Sequence, residues 1–324
     1  MAQAIPLRIS QLIKPQACLE DIFLDILVRV FAFIPIGALS FVLFMIIQKG
    51  AGTITWQFLT QSPLDGMTHG GIFPCIFGTL AITLLMILMA LPLGVAAAIY
   101  LVEFAGQGLF FRVTRAAVNN LAGVPSIVFG LFGVGFFILF IGRNLDKVIQ
   151  TGLLFGQPCM LWAAATLAVL VLPVIIVSTE EALNTVPQSQ RSASLALGAT
   201  KWQTIWNVVL PQARGGILTG AILSISRGAG ETAPILFTGC AYFLPRLPVV
   251  KLWGVVPMIN PFDQFMELSY HIFIMATQSL DAVKTLPIQY GTTLVLIALT
   301  FLLNLTAVLF RIHFRKQMGT AGVQ

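Results

Sequence analysis

The sequence predicts an all-α polytopic membrane protein with about six transmembrane helices and one structured polar loop between two of them. Three observations carry this. The composition is 57% hydrophobic and 9% charged, against roughly 25% charged residues in soluble domains. The apolar runs reach the ~20 residues that cross a bilayer as a helix. One stretch, Ser178 to Glu231, turns polar and amphipathic before the chain becomes apolar again.

The expected spans follow in order. Val28–Ile47 is long enough to cross once. Ile72–Val102 is too long for a straight crossing, and Pro92 with Gly94 predicts a kink. Leu121–Ile141 is glycine-rich, and Gly130, Gly133 and Gly135 form a small-residue face that admits a neighbouring helix. Met160–Ser178 is expected to break at Pro173, and Gly215–Tyr242 and Tyr290–Phe310 complete the set. Residues 1–27 read as a tail, itself a solvated or interfacial helix, ahead of an uncleaved first helix. Residues 28–310 read as one permease-like domain with its polar loop at about 179–214, and 311–324 as a second tail.

An even number of spans puts both ends on one side. That side receives eleven lysines and arginines and the other six, a bias that places both termini in the cytoplasm. Residues 48–71 and 243–288 are then external, with Gln264–Gln278 expected as a short interfacial helix carrying Tyr270 and His271. The net charge of +6 is no nucleic-acid signal, because no basic cluster interleaves with aromatics. Cys18, Cys75, Cys159 and Cys240 lack metal-like spacing and read as structural thiols. His69 and His271 read as loop residues, with no metal site around them.

The polar loop has its own pattern. Pro187 can open a helix, and Gly198 can end it in a left-handed turn. Lys201–Leu210 starts a second helical piece with Trp202, Ile205, Trp206 and Val209 expected on one face, and Pro211 marks a further bend. Exposed tryptophans on a compact projection argue for a surface that a partner covers.

At this point a resemblance appears. Ser192-Ala193-Ser194, Gly198, Val208 and Leu210-Pro211 resemble the EAA loop of ABC importer permeases, the MetI-like family. Glu181-Ala182-Leu183, Val186-Pro187, Arg191, Leu197-Gly198-Ala199-Thr200-Lys201-Trp202 and Arg227 through Gly230-Glu231-Thr232-Ala233-Pro234 are similar to the type A permease subunits of phosphate-specific importers. Gly70-Gly71-Ile72, Gly78-Thr79-Leu80, Pro92-Leu93-Gly94, Tyr100-Leu101 with Glu103, and Gly123-Val124-Pro125-Ser126 fit the same family.

The resemblance implies a permease that forms half of a translocation path in a bacterial inner membrane. It implies a second phosphate permease subunit (PstC-like), two copies of an ATPase subunit (PstB-like) and an extracytoplasmic phosphate-binding protein (PstS-like). It also implies that Arg191, Ser192, Ala193, Leu195, Leu197, Gly198, Ala199 and Trp202 form the ATPase-coupling surface. In one respect the chain departs from the pattern. The glutamate that names the loop is Ser192 here, so Arg191, Glu180 or Glu181 would have to make the ionic contact instead.

Arg227 and Glu231 are four residues apart, hence on one helical face and within reach of each other. Charges inside a span mostly line a path or meet a partner. A guanidinium fork suits an oxyanion, with Ser226 and Thr232 offering hydroxyls nearby. The same spacing fits an ion pair that only locks helices together. The chain contains no P-loop, H-E-x-x-H or G-x-S-x-G motif, so we expect no catalytic residue and no directly bound cofactor, with ATP held by partner subunits. A permease for another, sulfate-like oxyanion is the alternative within this class. A stand-alone channel or secondary transporter would not need the amphipathic projection.

Overall fold

The computed structural model describes residues 19–106, 108–150, 152–252, 256–279 and 281–321. The chain divides into two compact units after Lys49. The first is the body of helix α1 (Leu19–Gly50). This helix begins inside the segment read as a tail, so Leu19–Leu27 extends the first span, and residues 1–18 lie outside the described residues. Asp25 and Arg29, one turn apart, pair at 2.7 Å. Apolar side chains from Phe23 to Ile47 are exposed, as lipid solvation allows.

The second unit opens with a short 3₁₀ turn and α2 (Trp56–Thr60), whose first turn is capped by the Thr55 hydroxyl accepting from the Phe58 N–H at 3.2 Å. Strands β1 (Pro63–Leu64) and β2 (His69–Gly70) form a two-residue hairpin. α3 (Phe73–Ile99) ends in a π turn at Tyr100–Phe104. α4 (Leu109–Leu121) is amphipathic. α5 (Ser126–Phe132) runs through a π-helical stretch, Gly133–Gly142, into α6 (Arg143–Ile149). α7 (Met160–Asn184) is followed by α8 (Gln188–Ala196) and α9 (Lys201–Thr204). A π turn, Ile205–Val209, joins α9 to α10 (Leu210–Gly228). After α11 (Ala233–Thr238), β3 (Val249–Leu252) pairs antiparallel with β4 (Val256–Ile259), Val249 opposite Ile259. α12 (Leu268–Thr277) and α13 (Ala282–Ala321) close the chain.

Six stretches among the described residues are long and apolar enough to cross a membrane: Phe23–Thr53, Phe73–Phe104, Ser126–Ile149, Met160–Asn184, Lys201–Gly228 and Ala282–Ile312. The number agrees with the sequence, but several details differ. α7 runs through Pro173 as an unbroken helix, and α3 likewise continues through Pro92, because packing against neighbours supports a backbone that has lost one hydrogen bond. The third span starts at Ser126, and the segment before it is α4, folded apart because its arginines and asparagines share a face. On the glycine face, Gly130 and Gly133 do admit α11 and α7, but Gly135 has open space around it. The fifth span ends at Gly228, well short of Tyr242.

α7 is the centre of the unit. Of its most apolar window 72% is buried, against 39% for α3 and 28% for α10. α10 can lie this close because a side chain at Gly216 or Gly220 would overlap Ala182 or Ser178 of α7. Near one end, Ala98, Ile99, Leu101, Leu183, Ile205 and Val209 form an apolar cluster that seats the α9–α10 segment on α3 and α7. Towards the other, Phe265, Met266, Leu268 and Ile274 join α3 and α7 residues in the main core. α12 is therefore no interfacial helix. Tyr270 and His271 are buried at 8% and 2% exposure, because the α12–α13 hairpin turns this face inward.

Candidate functional site

Two constellations stand out, one at each level of the second unit. The first is the corner between α8 and α9. Pro187, with its fixed φ of −59°, launches α8. Gly198 ends it at φ +87°, and the Ala199 N–H reaches back to the Ser194 carbonyl at 3.3 Å, closing a left-handed helix end. Thr200 then starts α9 with a reciprocal capping box. Its hydroxyl accepts from the Gln203 N–H at 3.3 Å, and its own N–H donates to Gln203 Oε1 at 2.8 Å. The Ser194 and Thr204 hydroxyls lie 2.9 Å apart and tie the two helices. Pro211 cannot donate four residues back, and the turn ahead of it widens into the π turn.

The predicted apolar face divides in two. Ile205 and Val209 are buried, whereas Trp202 and Trp206 are 58% and 61% exposed, their rings stacked 6.0 Å apart. Leu195 and Leu197 are also exposed, Leu197 at 90%. Ser192, Ala193 and Gly198 are exposed beside them, and Ala199 is half-buried. Arg191 is placed elsewhere. Its side chain turns inward, with Nη1 2.7 Å from Glu103 Oε1 and Nη2 donating to the Leu183 carbonyl at 2.6 Å. It therefore cannot present the outward charge that the missing loop glutamate leaves wanting.

The second constellation is a break in the fifth span. α10 ends at Gly228 and the chain resumes helically at Ala233. Pro234 cannot donate a backbone hydrogen bond to Gly230, which explains why the helix does not continue. Glu231 thus lies in the gap and not, as the spacing suggests, on the helix. It still meets Arg227, in the last turn of α10, with Nε to Oε1 at 3.5 Å and the side chains 37% and 20% exposed. A cation in the last turn of a helix also lies at the negative end of the helix dipole. Thr232 is half-buried at the start of α11, and its side chain caps nothing. Ser226 points elsewhere, its hydroxyl donating to Asn304 of α13 at 2.5 Å. The structure therefore brings together Arg227 and Glu231, with Thr232 adjoining, and separates Ser226 from them.

One polar group of the core was not singled out from the sequence. Glu267 caps α12, accepting from the Tyr270 N–H at 2.9 Å and the Ser269 hydroxyl at 2.5 Å, and it is 2% exposed. Burial pushes its carboxyl up to about 7. An acid placed directly before the apolar run Leu268–Ala276 was the available signal. His271 lies one turn on, its two ring nitrogens without hydrogen-bond partners among the described residues, and burial pushes it down to about 4. Among those residues no His, Cys, Asp and Glu group could hold a metal. Cys75, Cys159 and Cys240 are free and buried, and Cys18 lies outside the described residues.

Six spans, a projecting apolar corner and a charged pair at a helix break define a polytopic membrane permease. A family described as "Binding-protein-dependent transport system inner membrane component" matches residues 90–319, and the chain belongs to that family. It is thus a multi-pass inner-membrane protein. Over 235 residues, 71% of each chain, it is 37% identical to "Phosphate transport system permease protein PstA 1" of Mycobacterium tuberculosis. Over 240 residues, 72% of this chain and 80% of the other, it is 32% identical to the protein named PstA of Pasteurella multocida. Among solved structures, a bacterial ABC transporter involved in import of the acidic polysaccharide alginate has the same fold. The TM-score is 0.63 at 15% identity, covering 91% of this chain and 98% of the other. The MetNI methionine ABC transporter gives 0.53 at 18% identity, covering 74% and 94%.

Proposed function

We propose that this chain is the transmembrane permease subunit of an ATP-driven importer for inorganic phosphate. The relatives named as phosphate permeases support the substrate, and the Arg227–Glu231 pair at the helix break is the observation that carries the mechanism. Arg227 offers a planar, permanently charged fork to phosphate oxygens. Between passages Glu231 holds the guanidinium. When phosphate arrives, the guanidinium exchanges the carboxylate for the anion, and Glu231 can accept from a protonated phosphate oxygen. Sulfate lacks that donor, so the pair favours phosphate. Thr232 adjoins this point of the path.

The exposed corner formed by Ser192, Ala193, Leu195, Leu197, Gly198, Ala199 and Trp202 docks on an ATPase subunit, which holds the ATP. The assembly comprises a second, similar permease, two ATPase subunits and an extracytoplasmic phosphate-binding protein. Both termini are cytoplasmic. Arg115 of α4 lies 3.5 Å from Glu180 near the end of α7, so the arginines of α4 share an end with the docking corner, as the positive-inside bias requires.

The test is uptake by the complex reconstituted in vesicles. Labelled phosphate should enter only with ATP hydrolysis and with the binding protein present. Uptake of sulfate but not phosphate would transfer the reading to another oxyanion, and ATP-independent uptake would make the chain a channel or secondary transporter.

A further inference from the structure

α8 and α9 are joined through the chain to α7 and α10. A third attachment is not covalent and runs to the end of α3. Glu103 lies in the π turn that closes that helix, and its carboxylate meets Arg191 at 2.7 Å with side chains only 9% and 12% exposed. Its backbone carbonyl, one of those a helix end leaves without an internal partner, accepts from Lys201 Nζ. The Lys201 ammonium also sits 4.7 Å from the centre of the Phe104 ring. The other arm of Arg191 holds the Leu183 carbonyl at the end of α7. One acid and two bases, drawn from α3, α8 and α9, thus meet at the foot of the docking corner.

Adhesion alone does not require this arrangement. Ile99, Leu101, Ile205 and Val209 already form an apolar contact between α3 and the α9–α10 segment, and a buried ion pair holds helices no more firmly than apolar side chains of similar volume. What the pair adds is register, because the two charges, each on its own element, come within 2.7 Å only when α8 is seated in this position against the end of α3. A cleft of about 410 Å³, lined by Glu103, Gln188, Arg191, Leu195 and Lys201, lies beside it. α8 has room to tilt there, and the pair resists the tilt.

We infer that Glu103 is a positioning residue that couples the docking corner to the second span. Movement imposed on α8 by the ATPase is delivered to α3 through Glu103, in addition to its passage along the chain into α10. This rests on the permease reading above.

The experiment compares wild-type, Glu103→Gln and Lys201→Met complexes in vesicles, measuring ATP hydrolysis and labelled phosphate uptake on the same preparations. Wild-type uptake tests the permease reading by itself, so its failure is seen separately. In E103Q we expect uptake to fall about tenfold or more, the scale set by losing one partner of a buried pair. Hydrolysis by assembled complex should fall far less, so that ATP consumed per phosphate rises. K201M removes an exposed side chain from the same joint and should shift that ratio in the same direction by a smaller factor. Should E103Q fail to assemble, the K201M ratio decides. An unchanged ratio in whichever variants assemble, or uptake and hydrolysis falling in equal proportion, overturns the inference and leaves Glu103 a structural residue.

Discussion

Replacing Gly198 separates backbone strain from crowding at the docking corner. The residue sits at φ +87°, and a Cβ built on it meets nothing within 4 Å. Any cost of substitution is therefore conformational. Holding an ordinary residue in the left-handed region costs roughly 1–2 kcal/mol, asparagine tolerates it, and a β-branched residue suffers most. The turn itself is held by the Ala199–Ser194 hydrogen bond, the Ser194–Thr204 contact and the Thr200 capping box, while the Glu103 joint and the apolar cluster seat the helices on either side. Hydrogen bonds of this kind contribute about 1 kcal/mol each. The strain is thus comparable to one or two of the bonds at the turn, and G198A should populate the docking shape several-fold less. A binding-competent fraction reduced in this way weakens apparent affinity in proportion. In titrations of the ATPase subunit onto the permease pair, we expect G198N close to wild type, G198A weaker by the same several-fold factor, and G198V weaker still. Equal affinity across the three variants would refute the reasoning, as would asparagine behaving like valine.

Arg227→Gln should abolish phosphate uptake while assembly and ATP binding persist, and R227K, lacking the planar fork, should retain a part of it. The double variant R227Q/E231Q removes the stray carboxylate, and recovery of uptake in it would make the pair purely structural. Glu267→Gln addresses pH. The raised carboxyl of Glu267 favours the folded state while protonated, so wild-type stability is fullest below the ordinary carboxylate range and declines as pH rises through about 7. The loss amounts to roughly 3 kcal/mol at most, and thermal unfolding of E267Q should lack this decline. A cysteine placed at Gln203 should react with a membrane-impermeant thiol reagent only from the cytoplasmic side, and labelling only from outside would invert the proposed topology.

The number of spans and the corner were legible because each rests on a local signal. Apolar length reports a crossing, and Pro187, Gly198 and Thr200 each impose a backbone geometry by themselves. Helix ends within the membrane were less legible. Pro173 looks like a break, but in the core of the unit its neighbours support it, while the real break at 229–232 carries its proline two residues into the next helix. The inward turn of Arg191 depends on Glu103, 88 residues earlier in the sequence. Ser226 is drawn away by Asn304, and no spacing rule reaches that far. α12 reads as interfacial because Tyr270 and His271 look polar. Only the α12–α13 hairpin, which turns this face inward, reveals it as core.

The stacked Trp202 and Trp206, with Leu197 beside them, leave a subunit without its partner in an awkward state. Burying each such side chain is worth roughly 1.5–3 kcal/mol, and until docking occurs that apolar area stays in water. An orphan copy therefore carries its own mark of incompleteness, of the kind that chaperones and proteases bind. Supply of the ATPase subunit would then set the lifetime of the permease, and matched subunit numbers could be maintained by clearance of the excess without matched synthesis.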